Sequence, residues 1–277
     1  MLAWLIYDSD GAKKNADYIQ MHRELAHEFQ MELCLVLDTE VSSMLMQNKE
    51  NYPDFCFVRT IQPHLSKQLE KKGIRVFNSS FISELCNDKG KTIQYIKEHT
   101  DVPVIPTKCY GRNQLSRMLL EQHKNSVIKA VDGHGGKQVF LTSEPYERIA
   151  QEIGNSDFIL QPLIPGEGKD IRVYVIGNRI MGAVERTAKT GFKSNFSLGG
   201  EVRPYQLKPH EKKWVQMICD VISFDMVGID FIVNDEGKLL FNEIEDVVGS
   251  RMYYHCYPQS NLLREYFSYV KAVLQCN

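Results

Sequence analysis

At 277 residues, with 43% hydrophobic and 25% charged positions, the chain has the composition of an ordinary globular protein, long enough for one large domain or several small ones. Its net charge of -2 gives no global basic field, which argues against nucleic acid or an anionic membrane as the main partner. No run reaches the roughly 18 apolar residues of a membrane span, and the seven scattered cysteines, odd in number and without a CxxC, read as reduced thiols of a cytoplasmic protein.

The opening "MLAWLIYDSD" lacks the basic start and small-residue cleavage site of a signal peptide and reads as a first strand. "NADYIQMHRELAHEFQ" follows with apolar residues at helical spacing, then the strands "ELCLVLD" and "FCFVR", the helix "PHLSKQLEKKG" and the strand "IRVFNS". Strand and helix in turn predict a small parallel α/β sheet over residues 1–86. A helix beginning near Asn87 and Asp88 runs through "KTIQYIKEHT", and the prolines of "DVPVIPTKCYG" predict an extended linker.

After residue 110 the pattern changes. A helix "NQLSRMLLEQHK", the strand "SVIKAV", the loop "DGHGGK", the strand "QVFLT", the helix "EPYERIAQEIG" and the strand "FILQPLI" suggest an α+β unit over 87–165. From 166 to 277 a second such unit is expected. It holds two strands joined at Asn178, the long connection "KTGFKSNFSLGG", the helix "PHEKKWVQMICDVISF", the strands "MVGIDFIVN" and "KLLFNEIE", and a closing helix "SNLLREYFSYVKAVLQ".

Three groups of residues carry chemistry. In "VIKAVDGHGGKQV", Lys129 precedes Gly133, His134, Gly135 and Gly136; glycines let backbone N–H groups approach phosphate, though the spacing is not a P-loop and a plain hairpin would look the same. Asp230 lies in an apolar strand, and Glu243 and Glu245 stand two apart at the end of the strand after it. A hairpin would let the three carboxylates converge as hard oxygen ligands for Mg²⁺; ordinary strand-end charge is the alternative. Lys89, Arg172, Arg186, Lys189, Lys193 and Arg203 form a basic set, and the 187–200 connection has the length of a lid. No Ser/His/Asp or Cys/His arrangement supports a side-chain nucleophile.

In this order the motifs resemble the ATP-grasp superfamily, and within it the RimK-type α-L-glutamate ligases. They run from "NDKGKTIQYI" through "PVIPT", "VIKAVDGHGGKQV", "ILQPLI", "KDIRVYVIGNRIMGAVERTAKTGFKSNFSLGG" and "VGIDFIV" to "FNEIEDVVGS". The resemblance implies an ATP-grasp fold, two α+β lobes gripping ATP, preceded by a parallel α/β pre-ATP-grasp domain. It implies that Lys89 and Lys129 bind ATP phosphates, with Gly133, Gly135 and Gly136 in the phosphate loop. Gln161, Pro162, Leu163 and Ile164 would be the segment whose backbone reads adenine. Arg172, Arg186, Lys193 and Asn195 would surround the γ-phosphate and substrate, and Asp230, Glu243 and Glu245 would hold Mg²⁺. Pro162 stands where an acidic residue is common, Glu245 where Asn is typical, and "DVVGSR" replaces an "SPG"-like turn, with Arg251 a candidate partner for a substrate carboxylate.

The function so implied is an ATP-dependent carboxylate–amine ligase working through an acylphosphate, with glutamate as the first guess for one substrate and a peptide or small amine for the other. An ATP-grasp small-molecule kinase and a non-catalytic ATP-binding module are the alternatives. No nucleic acid or membrane partner is expected, and relatives of this type are often homo-oligomers.

Overall fold

Strand and helix do build a parallel sheet at the start of the chain. The computed structural model describes residues 1–47, 52–166, 168–188 and 201–276. Strands β1 (Leu2–Tyr7), β2 (Glu32–Leu37), β3 (Phe55–Val58) and β4 (Arg75–Phe77) run parallel in the order β2-β1-β3-β4. Helices α1 (Ser9–Lys14), α2 (Ala16–Glu28), α3 (Asp38–Gln47) and α4 (Pro63–Glu70) connect them. β1 and β3 are apolar almost throughout because both faces of a parallel sheet are covered. Trp4, Ile6, Cys56 and Val58 share one core with α3 and α4, while Leu5, Tyr7, Phe55 and Phe57 share another with α2. The sequence pattern does not show α3, whose Asp, Thr, Val and Ser residues are mediocre helix formers; Val41 and Leu45, one turn apart, tie it to the core.

Helices α5 (Ser80–Cys86) and α6 (Lys89–His99) lead to a four-stranded antiparallel sheet. Its strands β5 (Lys108–Tyr110), β6 (Ser126–Ala130), β7 (Val139–Leu141) and β8 (Phe158–Pro162) lie in the order β5-β8-β6-β7, packed by α7 (Arg117–Gln122) and α8 (Tyr146–Ile153). The helix expected over "NQLSRMLLEQHK" is shorter. Ser116 in its middle takes the N-cap position, accepting a bond from Leu119 N–H (3.2 Å), so α7 starts after it and a 3₁₀ turn at Arg112–Gln114 stands before it.

The third sheet is antiparallel in the order β11-β10-β9-β12-β13, from β9 (Lys169–Ile176), β10 (Arg179–Thr187), β11 (Glu201–Tyr205), β12 (Met226–Val233) and β13 (Leu239–Glu245). Helices α9 (Pro209–Val221), α10 (Arg251–Cys256) and α11 (Leu262–Gln275) complete the described chain. Strand alternation splits β9: Ile171, Val173 and Val175 pack under α6 and α9, whereas Tyr174 and Ile176 pack toward α11 and the first sheet. The linker 101–107 is extended as expected and lies against β13, with Phe241 N–H donating to Pro103 O (2.7 Å).

Asn78, just beyond β4, stitches the first sheet to the third. Its Nδ2 donates to Met226 O (2.8 Å) and Asp246 O (3.0 Å), and its Oδ1 accepts from Asp225 N (2.8 Å) and Met226 N (3.2 Å), all buried. Asn78→Ala strands these backbone groups, so it is expected to cost about 3 kcal/mol. A urea midpoint unchanged from wild type would refute this account of the junction. Among the described residues no helix is long and apolar enough to cross a membrane, and all seven cysteines are free.

Candidate active site

On the face of β9 that carries Tyr174, the preceding two alternate positions are Asp170 and Arg172, and each meets an opposite charge across the sheet. Register places Arg186 of β10 opposite Asp170, Asp230 of β12 opposite Arg172, and Glu243 of β13 opposite Asp230. Directly opposed antiparallel residues share a face, so the row is a ladder of charges. Arg172 grips Asp230 with two bonds, Nε to Oδ1 (2.8 Å) and Nη2 to Oδ2 (2.6 Å), and its Nη2 also reaches Glu245 Oε1 (2.6 Å). Arg186 donates from Nη2 to Asp230 Oδ2 (2.7 Å) and from Nε to Asp170. A Cβ at position 228 would stand 2.7 Å from Val248 Cγ2 and 3.2 Å from Arg172 Cδ, so Gly228 makes room for the guanidinium to lie over β12.

A bulge aims the two glutamates. Leu239 and Phe241 point into the core beneath the sheet, and plain alternation would send Glu243 and Glu245 after them. The pairing slips between Asp230 and Phe231, so Asn242 is the extra residue and the parity reverses. Ile244 then takes the core side, while Glu243 and Glu245 turn toward Asp230. One oxygen from each of the three carboxylates lies within 4.8 Å of the others.

Two lysines close the site, one from α6 and one from the second sheet. Asp88 caps α6 by accepting from Lys91 N (2.9 Å), which sets Lys89 as the first helical residue. Lys89 Nζ bonds Gly133 O and pairs with Glu243 Oε2 (3.1 Å). Lys129, on β6, donates to Asn242 Oδ1 (2.8 Å). Gly135 and Gly136 adopt φ of +63° and +72°, the left-handed region that side chains disfavour. Between the sheets lies a cavity of about 780 Å³, lined by Lys89, Lys129, the 133–136 loop, Gln161 to Ile164, Arg186, Glu243 and Glu245.

Four cations and four carboxylates thus meet around one site, which explains how Asp230 and Glu243 stay charged. Burial would raise Asp230, yet Arg172 and Arg186 outweigh it and hold its carboxyl below the usual value. Glu243 is likewise held down against burial, by Lys89 and Lys129. Glu245 is pushed up by burial and the two neighbouring carboxylates, more than Arg172 offsets. Burial lowers Lys129 to about 8, with Lys89 adding to the effect and Glu243 opposing it. His134, also lining the cavity, is lowered by burial and by Lys89.

The sequence-based set is gathered here with some differences. Arg172 and Asp230 do not line the cavity: they lie behind Glu245 and Arg186, Asp230 with its two oxygens committed to arginines. Arg172 is engaged by the carboxylates of Asp230 and Glu245 and does not stand at the cavity wall. Much of the backbone of the Gln161–Ile164 segment is already committed: Gln161 and Pro162 pair with Val127 and Ser126 of β6, Leu163 N–H is given to Asn125 O (3.1 Å), and Pro162 has no N–H. Gln161 donates to Thr107 Oγ1 (2.9 Å). Arg203 points outward to Glu185 (2.7 Å), and Arg251 is an exposed residue opening α10. Lys189, Lys193 and Asn195, with most of the expected lid at 187–200, lie outside the described residues. Sequence reasoning missed Asp170 and Asn242. The i, i+2 spacing of Asp170 and Arg172 was a signal for the first; only the bulge marks the second.

Comparison with known proteins places this geometry. The model of the RimK-like ATP-grasp domain matches residues 64–257. Human N-acetylaspartylglutamate synthase A is 30% identical over 215 residues, covering 72% of this chain and 55% of the relative. Beta-citrylglutamate synthase B of Danio rerio is 27% identical over 219 residues, 72% of this chain and 53% of the relative. The chain therefore spans about half the length of these curated relatives. The crystal structure of the D-cycloserine synthetase DcsG superposes with a TM-score of 0.74 at 13% identity, over 99% of this chain and 100% of that one.

Proposed function

The chain belongs to the RimK-like ATP-grasp family, and from that premise we propose that it is an ATP-dependent carboxylate–amine ligase, adding an amino acid such as glutamate to a peptide or small amine through an acylphosphate. The observation that carries the reading is the meeting, at one cavity, of two lysines and a glycine loop with carboxylates within 4.8 Å of one another. Both relatives named above have glutamate in their names, which supports it as the first substrate to try.

In this reading Lys89 and Lys129 hold the phosphates of ATP, the open backbone at Gly135 and Gly136 approaches them, and the Gln161–Ile164 segment bounds the base. Hard carboxylate oxygens suit Mg²⁺. Glu243 and Glu245, which face the cavity, would hold it, with Asp230 oriented behind them. Bound Mg²⁺ would offset phosphate charge during phosphoryl transfer. Arg186, the guanidinium at the cavity wall, is placed to offset further negative charge. Chemistry of this kind needs positioning and charge neutralisation, which fits the absence of a nucleophile motif.

An ADP-release screen over amino acids and amines tests the reading. ADP is expected only when a carboxylate and an amine are supplied together; ADP formed with a hydroxyl compound and no amine would sink it.

Lys129 makes nucleotide affinity depend on pH. Phosphate prefers the ammonium form, and with this lysine at about 8 the free protein loses that form above pH 8. Bound phosphate raises the pKa, so the ATP dissociation constant is expected to rise by up to about tenfold per pH unit above 8. Calorimetric titration at pH 7, 8 and 9 checks this; a flat profile would remove Lys129 from the phosphate site.

A further inference from the structure

The order β2-β1-β3-β4 places the topological switch point of the parallel sheet between β1 and β3. Open α/β sheets bind ligands in the crevice at the carboxyl ends of the strands flanking such a point. Tyr7 ends β1, and Arg59 directly follows β3, its N–H donating to Ile6 O (2.8 Å). Both side chains carry a buried polar atom without a hydrogen-bond partner among the described residues: Tyr7 Oη and Arg59 Nε. Such atoms are uncommon; the Tyr7 hydroxyl lies near enough to the guanidinium to interact with it, and the pair stands together at the switch point with Nε of Arg59 and Oη of Tyr7 still lacking a well-formed hydrogen bond.

Arg59 is a half-buried guanidinium without an ion pair among the described residues. Its Nη2 donates to Val248 O (2.9 Å), and its Cζ lies 5.5 Å from the centre of the Tyr18 ring. Asp246, which feels its charge, instead accepts from Asn87 Nδ2 (3.0 Å). The anchor at Val248 lies in the segment just past Glu245, and Ile61, two residues after Arg59, and Val247, next to Val248, both line the cavity.

We propose that Arg59 and Tyr7 form the recognition site for a carboxylate of the ligase's substrate, distinct from the carboxyl that reacts. Of the two buried atoms, the guanidinium N–H can only donate and carries positive charge, and the phenol O–H can donate beside it, a pair that suits an anion. Arg59 is anchored at Val248, three residues past Glu245, and Ile61 and Val247 line the cavity, so a substrate held here by one end would extend its other end to the reacting centre. The inference rests on the ligase reading for the role of this ligand, but the site is testable by binding alone.

Calorimetry with L-glutamate, L-aspartate and citrate, in the presence of Mg²⁺ and a non-hydrolysable ATP analogue, provides the test. At least one probe is expected to bind. Arg59→Gln should weaken it about 100-fold and Tyr7→Phe about 10-fold, with nucleotide affinity within about twofold of wild type. Tyr7→Phe removes a buried unpartnered hydroxyl, so it should leave the melting temperature equal or higher. That separates ligand loss from misfolding, and it decides alone if Arg59→Gln does not fold. Failure of every probe to bind wild type, or equal binding by the folded variants, overturns the proposal. Inorganic phosphate binding as tightly through Arg59 would overturn the carboxylate assignment. Probes that bind through Arg59, with no carboxylate–amine pair releasing ADP, would keep the site and remove the ligase reading.

Discussion

Glu243→Gln is expected to fold like wild type and to lose ADP formation by about 10³-fold, the scale seen when a group that stabilises transition-state charge is removed. The side chain sits at the cavity wall, 27% exposed and paired with Lys89 at 3.1 Å, so the neutral amide fits the same space and leaves Lys89 its bond to Gly133. What changes is charge. An amide oxygen is a poorer ligand for Mg²⁺, and the cavity loses one of the carboxylates that balance Lys89 and Lys129. A differential readout makes the point sharper than activity alone. MgATP should raise the melting temperature of wild type more than ATP with chelator does, and that increment should vanish in the variant. Unchanged turnover would refute the metal assignment of Glu243.

Asp230→Asn should act mainly on stability. Asp230 is 1% exposed, and its two oxygens accept three bonds from Arg172 and Arg186. Neutralising it leaves two buried guanidinia sharing Asp170 and Glu245, a cost of about 3–5 kcal/mol by analogy with other broken buried pairs. Removing charge from both sides, Asp230→Leu with Arg172→Met, should cost less than the single change, because no uncompensated charge remains. Denaturant unfolding of the three proteins distinguishes these cases. A single variant within about 1 kcal/mol of wild type would show that the ladder contributes little to stability. The pH dependence has a definite sign. Asp230 is held below its unfolded value, so its contribution is complete above roughly pH 5 and fades as pH falls through its folded pKa.

Both predictions concern residues visible in the sequence, but what each does depends on registers that were not. Asp230 stood out because a charge in "MVGIDFIV" is costly unless something answers it, and the answering cations come from β9 and β10, more than forty residues away in the chain. Glu243 and Glu245 were read as sharing a face from their spacing, and they do. That spacing alone would have put them on the same side as Leu239 and Phe241, in the core. The bulge at Asn242 reverses the parity, and nothing in "KLLFNEIE" marks it, since a bulge is set by pairing with β12. Cations do lie among the carboxylates, supplied by the arginines of β9 and β10 and by Lys89.

The sequence by itself determined the alternating α/β start, the order of the later strands and helices, the glycine loop beside Lys129 and the acidic trio. Each of these rests on local physics: hydrophobic period, capping residues, backbone freedom, and the cost of burying charge. Only the tertiary structure decided which cation answers which carboxylate, that Arg172 stands behind the cavity while Arg186 lines it, and that Arg59 and Tyr7 meet at the switch point with donors unspent. Those are matters of strand register and sheet order, where a shift of one residue exchanges core for site, and a linear pattern carries no record of the partner strand.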